Sequence, residues 1–592
     1  MKGKFYESEY EKALIDLLQA EGWQYTNGGN IHRQLREPLL IEDPKVNDLR
    51  VYLQNQYPDL ADSDVTEVIN YLRHVPGQSH FERLRNTFQL VRDGYRYTRH
   101  GDGVNFDIRF IDFDNTDCNI FRAVNQFEVA YGMKNDVRIP DVLLFVNGIP
   151  LCIFELKNPT KLDADIAQAY EQIHTRYMRD IPHLLRYCPL SCISDATDNN
   201  TRLGTTYTPY EHYYAWKKVN NEDPSAQKGI DQVRTIVKGV HEPSRFLEIL
   251  RDYVYFPDEK SGREEEIVCR YPQFFATRMM SDSIRRAFKE QTSKGGTYFG
   301  ATGCGKTYTM MFIARQLALR CKELGSPTVI MIVDRDDLQT QAGKLFLRSQ
   351  DFLQLGTVKV ISDREELKTE LSLRDSGGFF ICTIQKFCES IGELNTRRNI
   401  ICFSDEAHRT QIRLSSKIKV VEHKDIEAKV EQTSAGAVAV RIIDESKIGA
   451  FVTKPYAEQL RTAFPNATFV GFTGTPIAET IQVFGEIVDR YTMQQAVDDE
   501  ITKDIKYIPR IAQVTLDSEK VKEIEDYYTR CAEEGATESD IAASKKAMSA
   551  MEQILGDEER LERLAADIIT HYTASCDNKP GVVQKAMVVC SK

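Results

Sequence analysis

The chain has 592 residues, a net charge of −12, and a composition that is 42% hydrophobic and 28% charged. One core does not grow to that size, so we expect several domains in a soluble globular chain. The acidic balance argues against a surface coated with nucleic acid but leaves room for a local basic groove. We find no signal-peptide pattern and no apolar run of membrane-spanning length, and the 13 scattered cysteines are typical of reduced thiols, so we predict a cytoplasmic protein without a membrane partner.

The first 265 residues pass from helical to β-rich and then to polar sequence. The stretch EYEKALIDLLQAEGWQY predicts an amphipathic helix that stops at Gly22, and ADIAQAYEQIHTRYMRDI predicts another after a β-rich region. The pair of cysteines in CPLSC has three intervening residues and no partner pair nearby, so we do not expect zinc there. Residues 200–265 are polar and predict an irregular connection.

Within the β-rich region, PDVLLFVNGIPLCIFELK, residues 140–157, predicts a buried hairpin around an Asn-Gly turn. Its open end carries Asp141, Glu155 and Lys157, which are costly to bury unless they are paired or bind a metal. Two explanations stay open. Lys157 could pair with an acid at an ordinary strand end, or the two carboxylates could hold a hard cation such as Mg²⁺.

The geometry of the turn separates these explanations. A strict two-residue turn pairs Val146 with Ile149 and puts Asp141 on the opposite face of the sheet from Glu155. A shared metal needs both acids on one face, so the metal hypothesis predicts a three-residue loop, a β-bulge or a sharp bend at Asp141. A cation held there would activate water and neutralise a phosphodiester, while Lys157 oriented that water or stabilised the developing charge.

From residue 266 onward, strands and helices alternate, and continuous Val, Ile and Phe runs predict a parallel sheet buried on both faces. The segment GATGCGKT, residues 300–307, fits the phosphate-binding pattern G-x-x-x-x-G-K-[ST] between a predicted strand and helix. Lys306 would neutralise the β- and γ-phosphates and Thr307 would take Mg²⁺. Residues 411–450 interrupt the pattern and predict a small β insertion.

Other polar residues follow the buried strands of the same region. In IICFSDEAH, Asp405 would hold the Mg²⁺ through water and Glu406 would polarise the attacking water. GFTGTP could sense the γ-phosphate, and RYPQFFA offers a glutamine to read adenine with an arginine beside it. The predicted nucleotide-contacting residues are Arg270, Gln273, Gly300, Ala301, Thr302, Gly303, Cys304, Gly305, Lys306, Thr307, Asp405, Thr473 and Thr475.

These motor segments, in this order, resemble superfamily 2 helicases and translocases, and the Pro-Asp-x13-Glu-x-Lys pattern resembles the PD-(D/E)xK nucleases. With NIFRAVNQFEV, NGIPLCIFELKNP and FVGFTGTP, the whole chain resembles the motor-and-nuclease (R) subunit of type I restriction enzymes. The resemblance implies an ATP- and Mg²⁺-dependent endonuclease and translocase that cuts unmethylated foreign DNA at non-specific sites. It implies double-stranded DNA and the modification and specificity subunits as partners, and it adds Glu11 and Gln172 as catalytic candidates.

Two features depart from that family. Its Gln-x3-Tyr motif becomes Gln172 and Tyr177 here, five residues apart, and in an α-helix this spacing turns Tyr177 away from the face of Gln172. The final KAMVVCSK resembles the first motif of a second RecA-like domain whose remainder does not follow. We therefore expect an N-terminal fragment that hydrolyses ATP poorly on its own.

The predicted organisation is a PD-(D/E)xK mixed α/β nuclease domain over residues 1–200 and a connecting region over 201–265. A RecA-like ATPase domain follows over 266–490, with linker helices and the truncated start of a second RecA-like domain over 491–592. A type III restriction or repair helicase-nuclease is the alternative, and a non-hydrolysing, ATP-gated DNA-binding module is a third. The sequence does not indicate the DNA site recognised, nor how nuclease and motor are coupled.

Overall fold

The structure is a computed structural model. It describes residues 7–133, 136–157, 166–225, 228–257, 264–334, 336–383, 393–407, 417–421, 438–439, 449–453, 456–503, 526, 529, 558–577 and 587.

The first half of the chain contains helices on both sides of a seven-stranded sheet. The strands of this half, in the large sheet and in three two-stranded sheets, are β1 Gln24–Asn27, β2 Tyr95–Thr98, β3 Asn105–Ile108, β4 Phe121–Asn125, β5 Val129–Tyr131, β6 Asp136–Arg138, β7 Val142–Val146, β8 Ile149–Leu156, β9 Leu190–Ser194, β10 Thr201–Gly204, β11 Tyr214–Ala215, β12 Val254–Tyr255 and β13 Ile267–Val268. Its helices are α1 Glu7–Ala20, α2 Asp48–Gln56, α3 Asp62–Arg73, α4 His80–Asp93, α5 Ile166–Glu171, a π-helical segment Gln172–Tyr177, α6 Met178–Asp180, α7 Pro182–Leu185, α8 Gly229–Val240 and α9 Pro243–Asp252.

This first sheet has the order β1-β4-β7-β8-β9-β10-β11 and mixed strand directions. The hairpin strands β7 and β8 lie near its centre, antiparallel to each other, and β9 runs parallel to β8. The two faces are covered by different helices. Tyr10 and Leu14 of α1 share one apolar cluster with Val142 of β7, whereas Ile173 belongs to a second cluster on the other face.

The second half contains a seven-stranded sheet in the order β16-β17-β15-β18-β22-β14-β23. Its strands, and those of a small three-stranded sheet, are β14 Lys294–Gly300, β15 Thr328–Val333, β16 Val358–Val360, β17 Phe379–Thr383, β18 Ile400–Ser404, β19 Lys417–Val421, β20 Val438–Ala439, β21 Gly449–Thr453, β22 Thr468–Thr473 and β23 Ile487–Tyr491. Its helices are α10 Tyr271–Glu290, α11 Lys306–Leu319, α12 Asp336–Leu347, α13 Gln350–Leu353, α14 Arg364–Ser372, α15 Tyr456–Ala463, α16 Ala478–Phe484, α17 Met493–Asp498 and α18 Glu558–Asp577.

Every pairing in the large second sheet is parallel, which confirms the prediction from the continuous apolar runs. Alternate residues of its central strands enter different clusters: Met331 and Phe403 face one side, and Ile332 and Cys402 the other. Burial on both faces explains why these strands are apolar throughout. Among the described residues, no helix combines the length and the hydrophobicity that a membrane span requires.

The prediction of an irregular connection over residues 200–265 was wrong for the described part of that stretch. Strand β10 pairs with β9 of the first sheet, and α8 and α9 bury one apolar face each. Phe246 of α9 belongs to a cluster that also contains Phe312 of α11, so the two halves share a continuous core. The helical spacing of apolar residues in GIDQVRTIVKGV and PSRFLEILRD was the missed signal.

Three other predictions fall partly or wholly on residues outside those described. The small β insertion is confirmed as far as it is described, because β19, β21 and β20 form a three-stranded sheet. In the charged C-terminal region, α18 is described. The final KAMVVCSK lies outside the described residues apart from Met587.

Candidate active sites

The hairpin turn is fixed by both of its central residues. Asn147 and Gly148 have φ values of 50° and 74°, the left-handed pair that a two-residue hairpin turn requires. The buried Asn147 side chain accepts from the Ile120 backbone N–H at 2.7 Å and donates to the Phe110 carbonyl at 2.9 Å. A Cβ at position 148 would lie 2.8 Å from the Leu49 nitrogen, so only glycine fits here.

A β-bulge at Leu151 sets the register at the open end of the hairpin. Val146 pairs with Ile149 and Phe145 with Pro150, but Leu144 pairs with Cys152, so Leu151 is the extra residue. Beyond the bulge Val142 pairs with Phe154, which makes Asp141 and Glu155 neighbours on one face of the sheet. The structure therefore confirms the bulge that the metal hypothesis predicted.

Close contacts hold the polar residues at this end of the hairpin. The Leu156 N–H donates to Asp141 Oδ2 at 2.6 Å, a hydrogen bond that ties the first acid to the second strand. Lys157 Nζ lies 2.7 Å from Glu155 Oε1 and 3.0 Å from the Leu156 carbonyl oxygen. Glu155 is 1% exposed, so a charged carboxylate here has lost nearly all of its water.

Burial dominates the electrostatics of Glu155. Loss of solvent and then the nearby Asp141 charge raise the pKa of Glu155 from 4.5 to about 8, against the smaller opposing effect of Lys157. A raised pKa of this kind means that the carboxyl group holds a proton near neutral pH unless another positive charge replaces it. Strong perturbation by burial together with a specific charged neighbour is typical of functional sites.

The helix after the hairpin corrects the expectation for Tyr177. Residues 172–177 form a π-helix, in which residues five apart lie on one face, rather than the α-helix assumed from the spacing. Gln172 Nε2 consequently donates to the Tyr177 hydroxyl at 2.7 Å, and that hydroxyl lies 3.1 Å from Glu155 Oε2. The extra residue is absorbed by the wider helical turn, so both side chains reach the hairpin site.

Glu11 lies at the same edge of the sheet but belongs to α1, which packs against the opposite face from Glu155. Its carboxylate accepts a hydrogen bond from the Asn125 side chain at the end of β4. The structure thus brings Asp141, Glu155 and Lys157 together and adds Tyr177 to them. Glu11 contacts Asn125, and this contact does not link Glu11 to the hairpin group.

The second site begins where β14 meets α11. Gly303 and Gly305 have φ values of 84° and 85°, so the loop follows a path open to glycine and leads directly into the N-terminus of a 14-residue helix. Lys306 opens that helix, and its Nζ donates to the Gly300 carbonyl at 3.3 Å. Backbone N–H groups at such a helix start favour an anion such as a phosphate.

The other predicted motor residues converge on this loop. Glu406 Oε1 lies 3.8 Å from Lys306 Nζ, and the Glu406 N–H donates to Asp405 Oδ1 at 2.9 Å directly after β18. Glu406 has a φ of 47°, an uncommon conformation for a non-glycine residue and one often found at functional sites. A Cβ built at Gly474 would lie 3.8 Å from Lys306 Nζ, so the turn after β22 also reaches the loop.

Within that turn, Thr473 Oγ1 accepts from the Thr475 N–H at 3.1 Å. On the opposite side, the Gln273 amide contacts the Cys304 and Gly305 carbonyl oxygens at 3.4 Å each. The Cys304 thiol is buried beneath the loop, where it contacts Tyr298, so its side chain faces the core.

A cavity of about 650 Å³ lies between the loop and the first half of the chain. Gly303, Gly305, Arg270 and Gln273 line it from the motor side, and Tyr214 of β11 lines it from the other. The Arg270 guanidinium stacks on the Tyr214 ring at 3.6 Å. Sequence reasoning missed Tyr214, since nothing in YEHYYAWK indicates that this edge strand reaches the loop.

Two family models match ranges of the chain that contain the two candidate sites. The family model described as "Type I restriction enzyme R protein N terminus" matches residues 4–212, and the one described as "SWI2/SNF2 ATPase" matches residues 272–540. The first therefore contains the hairpin site, and the second contains the phosphate loop.

Individual relatives point the same way. The Type I restriction enzyme HindI endonuclease subunit of Haemophilus influenzae is 32% identical over 99% of this chain and 52% of its own length. A type I restriction enzyme endonuclease subunit of Staphylococcus saprophyticus is 22% identical over 88% of this chain and 50% of its own. The chain thus spans about half the length of these curated relatives.

Among solved structures, a nuclease-deletion mutant of the Type ISP restriction-modification enzyme LlaGI in complex with a DNA substrate mimic matches 46% of this chain and 24% of its own. The sequence identity is 16% and the TM-score 0.22, too low to establish a shared fold. The sequence relationships are the stronger finding: residues 4–212 match the N-terminal family of type I restriction enzyme R proteins, and residues 272–540 match the SWI2/SNF2 ATPase family.

Proposed function

We propose that the chain is the motor and nuclease part of an enzyme that uses ATP to move double-stranded DNA and Mg²⁺ to cut it away from a recognition site. The β-bulge at Leu151 carries the nuclease half of this proposal. It brings Asp141 and Glu155 together on one face, although like charges placed opposite each other across two strands destabilise a sheet. A cation that binds both acids would offset the repulsion between them and so explain this arrangement.

The residues present fit a hard divalent ion, because two carboxylates supply the oxygen ligands that Mg²⁺ prefers. An ion bound by Asp141 and Glu155 would lower the pKa of a bound water and neutralise charge on a phosphodiester. Lys157 stands beside Glu155, where its ammonium can orient the attacking water and stabilise charge on the phosphate. The Tyr177 hydroxyl holds Glu155 Oε2 in place, and Gln172 holds that hydroxyl.

The motor half rests on the loop at residues 300–307 and the residues that meet it. Lys306 is held between the Gly300 carbonyl and Glu406, and the phosphates of a bound ATP would replace both as its partners. Glu406 would then be free to polarise an attacking water, and Thr307 and Asp405 would hold the nucleotide's Mg²⁺. Thr473 and Thr475 would sense the γ-phosphate, and Gln273 and Arg270 would meet the base.

The proposal assigns residues 1–200 to a nuclease domain, 266–490 to the first RecA-like ATPase domain, and 491–592 to linker helices with the start of a second. Residues 201–265 join the first two, and their described part is packed structure. Modification and specificity subunits would select the DNA site, since the described residues of the two candidate sites include no element that reads bases. A cytoplasmic location follows from that role.

The test uses the complete enzyme: this subunit assembled with modification and specificity subunits, and a circular plasmid that carries one unmethylated site. We expect double-strand cleavage only when ATP and Mg²⁺ are both present, and none on the methylated plasmid. Cleavage that proceeds equally with no nucleotide would overturn the coupling of motor and nuclease. ATP turnover without any cleavage would overturn the nuclease half alone.

A further inference from the structure

Two thiols and one imidazole converge inside the first half of the chain, away from both sites described above. Cys152 lies on β8, Cys192 on β9, and His241 in the corner between α8 and α9. All three are fully buried, and one ligand atom from each lies within 4.8 Å of the others. His241 Nε2 is 3.7 Å from each of the two sulfur atoms.

The histidine is oriented for binding at Nε2. Its Nδ1 lies 3.1 Å from the Ile236 carbonyl oxygen, which can only accept, so Nδ1 carries the proton and Nε2 presents a lone pair to the thiols. The Trp23 indole donates to the His241 carbonyl at 2.6 Å, and the ring packs against Phe154 and Phe246. A hydrogen bond from the second ring nitrogen to a carbonyl is the usual support of a metal-binding histidine.

The strand register excludes a disulfide as the purpose of the cluster. Cys152 pairs with Leu190 and Phe154 with Cys192, so the two cysteines lie diagonally across parallel strands, two residues apart in register. With strands ~4.8 Å apart and a rise of ~3.3 Å per residue, their Cα atoms are about 8 Å apart. A disulfide requires less than about 7 Å, whereas an ion between the sulfur atoms spans the gap readily.

We propose that Cys152, Cys192 and His241 supply three of the four ligands of a structural zinc site. Thiolate and imidazole ligands select zinc and copper over the hard cations that suit the carboxylates of the hairpin site. Charge decides between those two metals. Two thiolates with a neutral imidazole balance the charge of Zn²⁺, whereas Cu⁺ would leave one uncompensated negative charge in an apolar core.

The S–N distances suit such an ion. Ligands at about 2.3 Å for sulfur and about 2.0 Å for nitrogen, set at 110–120° around one centre, lie roughly 3.5–3.8 Å apart. A zinc ion here would clamp the α8–α9 corner onto the two central strands. Strand β8 continues from Cys152 to Glu155, so the clamp would also fix the strand that carries the second acid of the hairpin site.

The ligands come from distant parts of the sequence, 40 residues from Cys152 to Cys192 and 49 from Cys192 to His241. No short metal-binding motif signals such a site. Cys188, the other cysteine of CPLSC, instead contacts the Pro150 carbonyl oxygen and lies outside the trio. The proposal therefore departs from the expectation of no zinc at CPLSC, because it combines Cys192 of that segment with two residues that are distant in the sequence.

The test measures metal in the full 592-residue chain, purified without an affinity metal and dialysed against EDTA. We expect about one zinc per chain by plasma mass spectrometry, released when guanidinium unfolds the protein. Cys192→Ser and His241→Gln should lower the zinc content to near zero, whereas Cys188→Ser and Asp141→Ala should retain it. The Asp141→Ala arm separates this site from zinc held adventitiously at the hairpin acids.

A second measurement uses the unaltered chain and therefore tests the proposal even if the variants fail to fold. The unaltered chain expressed in zinc-depleted medium with Co²⁺ should show the near-ultraviolet sulfur-to-cobalt charge-transfer band of thiolate ligation. Absence of both the band and stoichiometric zinc would overturn the proposal and leave a buried thiol–imidazole hydrogen-bond cluster. Copper in place of zinc would overturn it too, because it contradicts the charge argument.

Discussion

The two candidate sites are built in opposite ways. The hairpin site takes its residues from one stretch of sequence, Asp141 to Tyr177, and joins them by direct hydrogen bonds within the protein. The phosphate-loop site brings together residues more than 100 positions apart, at the ends of different strands of a parallel sheet. Glu406 keeps 22% of its side chain exposed, against 1% for Glu155.

This difference has an energetic consequence. In the hairpin site, two acids already lie together and Glu155 has lost nearly all of its water, so the fold bears a cost that a cation would relieve. In the phosphate-loop site, glycines and a helix N-terminus await an anion, and its charged residues keep some water. We therefore expect the first site to respond to pH and metal even without substrate, and the second to respond mainly to nucleotide.

The largest expected effect is the loss of the motor in Lys306→Ala. Without this ammonium the phosphates lose their main positive partner, so ATP turnover and translocation by the complete enzyme should fall at least about 1,000-fold. Metal binding at the hairpin acids should be unchanged, as measured by Mn²⁺ titration. Lys322→Ala, at an exposed position after α11, is the matched control. Normal translocation by Lys306→Ala would refute the motor assignment.

The next largest effect should fall on cleavage alone in Asp141→Ala or Lys157→Ala. The first removes a metal ligand and the second the ammonium beside the phosphate, so DNA cutting should drop at least about 100-fold. ATP hydrolysis should continue at the normal rate, since the loop at residues 300–307 is untouched. Asp136→Ala, at an exposed position on β6, should cut normally. If the Asp141→Ala enzyme still cuts, the nuclease centre lies elsewhere.

The contrast between the hairpin site and the phosphate-loop site also explains how much of each could be predicted from the sequence. The phosphate loop was predictable because its chemistry lies in a short, fixed pattern between a strand and a helix. The hairpin acids could be named, but their shared face depended on a single extra residue at Leu151, which alternation alone does not locate. The bulge could be predicted only because a shared metal requires both acids on one face of the sheet.

Tyr177 shows where local rules fail. Its five-residue spacing from Gln172 excludes a shared face only in an α-helix, and a π-helix reverses the conclusion. Tertiary contacts with Glu155 and the Ile139 carbonyl hold that segment, and neither contact is visible in the helix's own sequence. The packed helices of residues 229–252 were missed for a simpler reason, since their polar faces concealed an apolar stripe.

A smaller effect concerns pH and sharpens the energetic contrast. The pKa of Glu155 is raised to about 8, so between its ordinary value of 4.5 and about 8 the folded chain binds a proton that the unfolded chain lacks. Stability should therefore fall as pH rises through this window, by about 2 kcal/mol between pH 6 and 8 without divalent ions. Denaturant midpoints at both pH values measure it.

Two comparisons test whether Glu155 causes this pH dependence of stability. Adding Mg²⁺ should restore most of the loss at pH 8, because the ion replaces the proton. Glu155→Gln keeps the hydrogen-bonding shape without the charge, so it should flatten the pH dependence. An equal slope in Glu155→Gln and the unaltered chain would show that other groups cause it.

The smallest expected effect, Tyr177→Phe, asks whether the π-helix serves the hairpin site or only its packing. The change removes a hydroxyl that accepts from Gln172 and lies 3.1 Å from Glu155 Oε2, so cleavage should fall about five- to tenfold while ATP turnover is unchanged. Loss of a donor to the carboxylate should also raise its pKa further and move the pH profile of cutting upward. Tyr170→Phe, on the same helical stretch but stacked on His174, should do neither. If Tyr177→Phe weakens cutting without moving the profile, the hydroxyl acts through packing, and the hairpin site needs only its own two strands.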